Sequence, residues 1–447
     1  MSSETVLRGC RLIDGTGLDP QDDAGIVFTG DVIRQAGPIG GLRFDADAEV
    51  VDLDGRTVLP GLIDSHTHLT YHPAIPNVWE QEFRESLELN TLRAAHNAEA
   101  ILGMGFTTIG DGGCRGFIGP AVRDAVALGL IEGPSIVSAG PILCGPAGLL
   151  DNTPPWIRIE IDGALAELVD SPEAARRAVR RQVKGGVDWI KVAATGVAGS
   201  RYSNAETPDL GEPEIRAAVE EARKFGRAVH AHAHSDAGVQ AAVRAGVLSL
   251  HGGEFVTDET LRLIRDGGVV LGATIAWLHA RCLPGSPGGE DVAFAEAAWR
   301  AFAASRDMLP RAKALGVKVA LATDAAHRFP HVRDGVLEME YLCACGYTPL
   351  EAITAATANA AEAIGRGAAV GTLSPGKRAD LLIVDGDPST DLSVLRDKRR
   401  IWRLYKGGRM VPLGDDRRYQ GESFRVSDWI GLSLAETRAR PAVNRAA

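Results

Sequence analysis

Residues 58–69 read Val-Leu-Pro-Gly-Leu-Ile-Asp-Ser-His-Thr-His-Leu, an apolar run that ends on two histidines two positions apart. The apolar part predicts a buried strand, and in a strand residues i and i+2 point to the same side. His66 and His68 can therefore converge on one metal ion. A single His-x-His pair is a weak signal, because imidazole pairs also occur on polar surfaces, so its meaning depends on the rest of the chain.

Further residues of ligand type follow later apolar runs. Each of them lies at or just beyond the end of a strand-like segment: Lys191, His230, His232, His234, His251 and Asp324. A (β/α)8 barrel builds its active site at the carboxyl ends of its strands. The pattern therefore predicts one metal site that is assembled from several strands.

The pattern of apolar and polar residues divides the chain into a middle region and two ends. Between residues 58 and 365, apolar runs alternate with stretches rich in Ala, Glu and Arg, which is typical of repeated βα units. We predict an α/β fold in which residues 58–365 form a distorted (β/α)8 TIM barrel. Both chain ends, residues 1–57 and 366–414, are predicted to form a small β-sandwich domain. Residues 415–447 are polar and are expected to be an arm on a neighbouring subunit or a disordered tail.

The eight barrel strands are predicted at 58–64, 106–110, 134–139, 188–193, 227–232, 247–251, 268–272 and 317–322.

Composition excludes several classes of function. The chain has 447 residues and a formal net charge of −10, whereas nucleic-acid binding needs a clustered surplus of Lys and Arg. No apolar run approaches the roughly 20 residues of a membrane span, and the first residues lack the features of a signal peptide. We therefore expect a cytoplasmic protein with a small-molecule substrate, with no nucleic-acid or membrane partner, and with a homo-oligomeric assembly.

The motifs resemble the amidohydrolase superfamily, and within it the imidazolonepropionase-like and Xaa-Pro dipeptidase-like branch. The likeness runs from Ile-Asp-Gly-Thr-Gly at 13–17, through the segment quoted first, to Ser-Pro-Gly-Lys-Arg-Ala-Asp-Leu at 374–381. It covers nearly the whole chain, and the motifs stand in the expected order. The resemblance implies a distorted barrel with a β-sandwich, divalent metal ions and hydrolysis of an amide or related bond.

The resemblance also assigns roles to residues. His66 and His68 match ligands on the first strand, and Asp324 matches the carboxylate on the last strand, which is both a metal ligand and the catalytic proton shuttle. Lys191 matches a lysine that is carboxylated by CO2 in binuclear members and bridges two ions, for which zinc is the expected metal. A carbamate would add two anionic oxygens, whereas an ammonium group cannot bind a cation. The alternative for Lys191 is a lysine at the barrel rim in a salt bridge.

The ligand on the fifth strand is ambiguous, because His230, His232 and His234 alternate and all three can face one side. Counting back from the helix that starts near Gly238, the family pattern favours His232. His230 would then lie deeper in the barrel, and His234 would lie in the loop near the substrate.

The sixth strand departs from the family pattern. Relatives read Glu-His-Gly where this chain has Leu250-His251-Gly252-Gly253, with the histidine one residue early. A shift of one residue turns a side chain to the opposite face. We predict that the two glycines form a bulge that returns His251 to the second metal, and the alternative is a regular strand with His251 in the barrel wall.

These observations predict a metal-dependent amidohydrolase that cleaves an amide (C–N) bond through a metal-activated hydroxide. The expected substrate is an N-acyl amino acid, a dipeptide or an aryl amide. The alternative is a mononuclear deaminase or cyclic-imide hydrolase of the imidazolonepropionase kind, which would not need Lys191. Residues that are predicted to contact the substrate, with packing or plain surface as the alternative, are His230, His234, Arg201, Tyr202, His279 and His327.

Overall fold

The computed structural model describes residues 4–72, 78–198, 200–284, 292–325, 335–413 and 425–440. Its strands are β1 (Glu4–Leu12), β2 (Gln21–Thr29), β3 (Val32–Pro38), β4 (Glu49–Asp52), β5 (Thr57–Pro60), β6 (Leu62–Thr67), β7 (Phe106–Asp111), β8 (Ser135–Ser138), β9 (Ile142–Cys144), β10 (Ala166–Leu168), β11 (Trp189–Ala193), β12 (Ala228–Ser235), β13 (Ser249–Phe255), β14 (Val270–Gly272), β15 (Val319–Ala320), β16 (Leu381–Val384), β17 (Ile401–Lys406) and β18 (Arg409–Met410).

The helices lie mainly between the strands of the middle region. They are α1 (Val78–Arg84), α2 (Leu87–Leu102), α3 (Ile118–Ala127), α4 (Pro172–Lys184), α5 (Glu212–Arg223), α6 (Asp236–Ala245), α7 (Asp258–Asp266), α8 (Ile275–Ala280), α9 (Val292–Ala314), α10 (Gly335–Ala344), α11 (Pro349–Thr354), α12 (Ala360–Ala363), α13 (Ser393–Arg396) and α14 (Leu434–Ala439). None of these helices combines the length and the apolar character that a membrane crossing requires.

Two parallel sheets carry the residues of the predicted site. One has the order β6-β7-β8, and the other has the order β10-β9-β11-β12-β13-β14-β15. Backbone hydrogen bonds link these sheets on both sides: Ser65 N, for example, donates to Leu321 O at 3.0 Å, and Asp188 N donates to Ser138 O at 2.8 Å. The fold thus has mixed α/β content with parallel strands, as predicted, while its closure into a full barrel stays a prediction.

Most of the parallel strands are buried on both faces, which explains their continuous apolar runs. All residues of β6 and β11 are buried. At the end of β12 the Ser235 side chain accepts a hydrogen bond from Gly238 N and caps α6. The chain therefore turns from strand to helix directly after the three alternating histidines, which leaves them at the carboxyl end of the sheet.

The two chain ends form a separate sheet with the order β18-β17-β16-β5-β1-β2-β3, in which β4 also pairs with β1. The ends meet where β16 runs antiparallel to β5, with Leu381 opposite Pro60. Leu7, Phe28 and Tyr405 are among the side chains of a core that belongs to this sheet. The pairing of both ends agrees with the sequence analysis, while the sandwich arrangement and the domain boundaries stay predictions.

The strand predicted over residues 58–64 is divided in two at Gly61. β5 joins the sheet of the chain ends, whereas β6 pairs with β7. Gly61 lies so close to β7 that a Cβ atom there would be 2.2 Å from Thr107 Oγ1. The break moves the chain from one sheet to the other, and an apolar run by itself does not reveal it. The short strands β9 and β10 were not predicted either.

Residues 425–440 lie against the core of their own chain. Val426 and Trp429 are buried in the same apolar cluster as the parallel strands. The Ser433 side chain and the Glu436 side chain form a capping box that begins α14. The described part of the predicted tail thus packs against its own chain, and its assignment as an arm or a disordered tail stays a prediction.

Candidate metal centre

The first group of the site consists of His66, His68 and Asp324. Both histidines are 3 % exposed at the end of β6. Nε2 of His66 lies 3.3 Å from Oδ1 of Asp324, and Nε2 of His68 lies 3.1 Å from the same oxygen. The three side chains offer ligand atoms that all lie within 4.8 Å of one another. The structure thus brings the residues predicted on the first and last strands together.

A buried carboxylate holds this first group in position. Asp64 accepts hydrogen bonds from His66 N at 3.1 Å, from Thr323 N at 3.2 Å and from the Thr323 hydroxyl. Asp324 N donates to His66 O at 2.8 Å. Asp324 has φ 52°, in the left-handed region that few residues other than glycine adopt. The surrounding hydrogen bonds maintain this strained conformation, which directs the carboxylate to the histidines.

Asp64 is not among the site residues predicted from the sequence. A charged residue within an apolar run was its only signal.

The electrostatics keep the first group in the protonation states that bind metal ions. Burial, together with nearby Lys191, lowers the pKa of His66 to about 3. Burial raises the pKa of Asp324, but hydrogen bonds from His66 and His68 outweigh it and hold this pKa well below its ordinary value. Near neutral pH the group therefore offers a carboxylate and a neutral His66 imidazole.

The second group consists of Lys191, His230 and His251, which lie within β11, β12 and β13. The His251 ring stacks on His66 with centroids 3.7 Å apart, and it lies edge-on to His230 at 4.5 Å. Lys191 Nζ is 3.2 Å from His251 Nδ1. His66, His230 and His251 offer ligand atoms within 4.8 Å of one another, so His66 belongs to both candidate metal-binding sets.

Several imidazole nitrogens of the site have no hydrogen-bond partner among the described residues. They are Nδ1 of His66, both ring nitrogens of His230 and Nε2 of His251, and all are buried. Buried polar atoms are normally satisfied, because burial without a partner costs free energy. Neutral imidazole and carboxylate are ligands that zinc and similar cations accept. The donor set therefore fits divalent metal ions.

Lys191 has the environment that carboxylation would require. Its side chain is 1 % exposed, and burial lowers its pKa to about 7 although Asp324 opposes this. In the part of the chain that the structure describes, no carboxylate lies within ion-pair distance of its amine. The salt-bridge alternative for Lys191 thus has no partner among those residues.

The alternating histidines of β12 lie in different surroundings. The His230 ring lies edge-on to His251 with centroids 4.5 Å apart, is 5.6 Å from the His66 ring, and stacks on Trp189 with centroids 3.9 Å apart. Nε2 of His232 is 3.2 Å from Gly196 O, and this residue lies in neither candidate metal-binding set. The assignment of His232 as a ligand stays a prediction, and the geometry favours His230. The sequence favoured His232 because spacing along the chain does not reveal which residues pair between strands. In the structure, Lys191 on β11 pairs with His230 on β12.

The predicted irregularity of the sixth strand is present. Gly252 and Gly253 have φ 109° and 82°. The pairing advances by two residues on β12, from Ala233 to Ser235, and by three on β13, from Gly252 to Phe255. The extra residue in β13 is a bulge that follows Gly252, whereas His251 itself stays in register opposite His232 and Gly272. The His251 side chain lies in the second group, and its direction by the bulge stays a prediction.

The other residues predicted to contact the substrate differ in burial and in their neighbours. His234 is buried against Glu254, a residue that the sequence analysis missed. Arg201 lies over the ring of Tyr202, and both are exposed.

His279 is fully buried, contacts the Tyr341 hydroxyl and stacks on Phe302, surroundings that favour the packing alternative. His327 lies outside the described residues.

A model of the amidohydrolase family matches residues 57–411 of this sequence. The chain belongs to the amidohydrolase family. It is accordingly a hydrolase that acts on carbon–nitrogen bonds, and the resemblance inferred from its motifs is confirmed. Ochratoxinase from Aspergillus niger is 29% identical over 449 residues, which cover 93% of this chain and 89% of that protein. Imidazolonepropionase from Geobacillus kaustophilus is 26% identical over 444 residues, which cover 88% of this chain and 92% of that protein.

Solved structures are also similar to this chain over most of its length. The crystal structure of A. niger ochratoxinase has a TM-score of 0.83 and 26% identity, covering 94% of this amidohydrolase and 99% of that chain. A prolidase in complex with N-methylphosphonate-L-proline has a TM-score of 0.82 and 26% identity, covering 92% of this chain and 99% of that one.

Proposed function

We propose that this amidohydrolase cleaves the amide bond of an N-acyl amino acid, a dipeptide or an aryl amide, using two divalent metal ions for which zinc is the expected metal. The observation that carries the proposal is the presence of two candidate metal-binding sets that share His66. The similarity to proteins named ochratoxinase and prolidase supports an amide substrate.

The proposed ligands divide between the two groups. His66, His68 and Asp324 would hold one ion, and His230 and His251 would hold the other. Carboxylated Lys191 would bridge them, and its amine lies beside His251. When bound, such ions supply Lewis-acid activation of a carbonyl group and of water.

Asp324 is the proposed general acid–base group. Its carboxylate is ionised and is directed into the centre by hydrogen bonds, so its oxygen can accept a proton from the attacking water. Passing that proton to the leaving nitrogen lets the product depart as a neutral amine.

We also propose an architecture, an assembly state and a cellular location for this protein. The hydrogen bonds between the two parallel sheets support a closed, distorted (β/α)8 barrel over residues 58–365. A β-sandwich from both chain ends, a homo-oligomeric assembly and a cytoplasmic setting complete the proposal.

A second candidate is a mononuclear deaminase or cyclic-imide hydrolase. The first group is a complete ligand set by itself, and imidazolonepropionase is among the relatives, which favours this candidate. It would bind one ion per chain and leave Lys191 as a free amine.

One experiment separates the two. The protein is prepared with zinc and ¹³C-bicarbonate, its metal content is measured by elemental analysis, and the carbamate is sought by ¹³C NMR. Turnover is then assayed on N-acyl amino acids, Xaa-Pro dipeptides, aryl amides and cyclic imides. Two ions, a carbamate signal that Lys191→Arg removes, and amide hydrolysis are expected. One ion without a carbamate would overturn the binuclear proposal.

A further inference from the structure

Beside the metal centre, His234 and Glu254 form a buried pair that neither candidate metal-binding set includes. His234 Nδ1 lies 2.5 Å from Glu254 Oε2, and the two residues are 5 % and 3 % exposed. His234 is at the end of β12, and Glu254 lies within the bulge of β13, between Gly252 and Phe255. The pair therefore lies at the carboxyl ends of the strands, where the substrate of this fold is expected to bind.

The pair is close to His232 and to the backbone that directly follows His251. The rings of His232 and His234 are in edge-to-face contact, with centroids 4.3 Å apart. The imidazole of His234 also covers Gly252, where a Cβ atom would lie 2.7 Å from its Nδ1. Gly252 directly follows His251, so the His234 ring lies beside a proposed metal ligand.

The backbone of His234 is anchored to the loop after β11. His234 N donates to Thr195 Oγ1 at 3.1 Å, and the Thr195 hydroxyl donates to Gly196 O at 3.0 Å. The same Gly196 carbonyl contacts His232. With the loop, Gly252 and Glu254 around it, the position of the His234 ring is defined on several sides.

The pair is nevertheless incompletely satisfied. Nε2 of His234 and Oε1 of Glu254 are buried and have no hydrogen-bond partner among the described residues. A pair with a purely structural role is expected to satisfy its polar atoms, because each unpaired atom reduces stability. A position that is fixed on one side and unsatisfied on the other is characteristic of a binding site.

We propose that His234 contacts the substrate through Nε2, by a hydrogen bond to a polar group of the substrate near the scissile amide, and that Glu254 is a positioning residue that holds the ring. This inference rests on the proposed function and extends it to a residue that determines specificity. Asp324 follows β15, whereas the pair would hold the substrate from the side of β12 and β13.

Two substitutions at one position separate a contact with the substrate from a structural role. In His234→Asn the amide nitrogen can replace Nδ1 in the bond to Glu254, but nothing replaces Nε2. In His234→Gln the amide reaches the position of Nε2. Glu254→Gln keeps the shape of the positioning residue, and exposed His96→Asn serves as a control for the substitution itself.

The assay uses the zinc-loaded full chain and the amide that the natural sequence hydrolyses best. For His234→Asn we expect kcat/KM to fall at least about tenfold, mainly through KM, because one hydrogen bond to the substrate is lost. His234→Gln should recover part of this loss, Glu254→Gln should show a smaller loss, and His96→Asn should match the natural sequence. Metal content and melting temperature should be unchanged in all four variants.

Two results would overturn the inference while leaving the proposed function intact. One is a His234→Asn variant with kcat/KM within about twofold of the natural sequence. The other is loss of activity in proportion to lost metal or lowered melting temperature, which would make the pair structural. If the natural sequence hydrolyses no carbon–nitrogen substrate, the proposed function fails first and the inference fails with it.

Discussion

The two groups of the candidate metal centre are held in different ways. In the first group, His66 and His68 contact Asp324, and the backbone between them is fixed by Asp64. In the second group, His230 has no hydrogen-bond partner among the described residues at either ring nitrogen. Hydrogen bonds of the fold thus hold the first group in position, whereas His230 in the second group is held by ring packing and leaves both ring nitrogens for a ligand.

Asp324→Asn breaks the first group and should have the largest effect. The amide cannot accept the proton, so we expect kcat to fall at least about a hundredfold while the fold is preserved. Steady-state kinetics with the best amide substrate measures the loss, and circular dichroism and elemental analysis check the fold and the metal content. Near-normal turnover with intact metal would mean that another residue transfers the proton.

His230→Ala and His232→Ala, compared side by side, test the second group. His230→Ala removes a proposed ligand, so we expect one ion to be lost and activity to fall at least about tenfold. His232→Ala should keep both ions, because its Nε2 contacts Gly196 O. Elemental analysis of the two variants decides, and the opposite result would support the assignment from sequence spacing.

His251→Ala tests whether the bulge directs this side chain to a metal ion. We expect metal content to fall towards one ion per chain and activity to fall with it. If both ions remain and the free energy of unfolding falls by about 1 to 3 kcal/mol, His251 has only a structural hydrogen bond. Metal analysis and thermal melting on this one variant distinguish the two cases.

Gly252→Ala tests whether the backbone beside His251 in the second group tolerates a side chain. A Cβ atom there would lie 2.6 Å from Ala233 O, at φ 109°, so we expect a loss of about 2 to 4 kcal/mol in the free energy of unfolding. Gly226→Ala is the matched control, because it also has a positive φ, 65°, but nothing within 4 Å of the added atom. The control should lose about 1 kcal/mol, and chemical denaturation measures both. Equal losses would show that the bulge tolerates a side chain.

Much of this organisation could be predicted from the sequence. Three features of the sequence predicted the family and the parallel α/β fold. They are the spacing of His66 and His68, the positions of Lys191 and Asp324 after apolar runs, and the short strand-like segments of both chain ends. These features are local, because a strand or helix and the direction of neighbouring side chains follow from periodicity along a few residues.

The tertiary structure decided what periodicity leaves open. A strand with a period of two places His230, His232 and His234 on the same side. Only the register between strands sets that His230 pairs with Lys191 on β11 and that His232 pairs with His251 on β13. The division of residues 58–64 at Gly61 and the pairing of His234 with Glu254 likewise depend on contacts between segments that are distant in sequence. The residue types of the site are therefore fixed by the sequence by itself, and their partners by packing between strands.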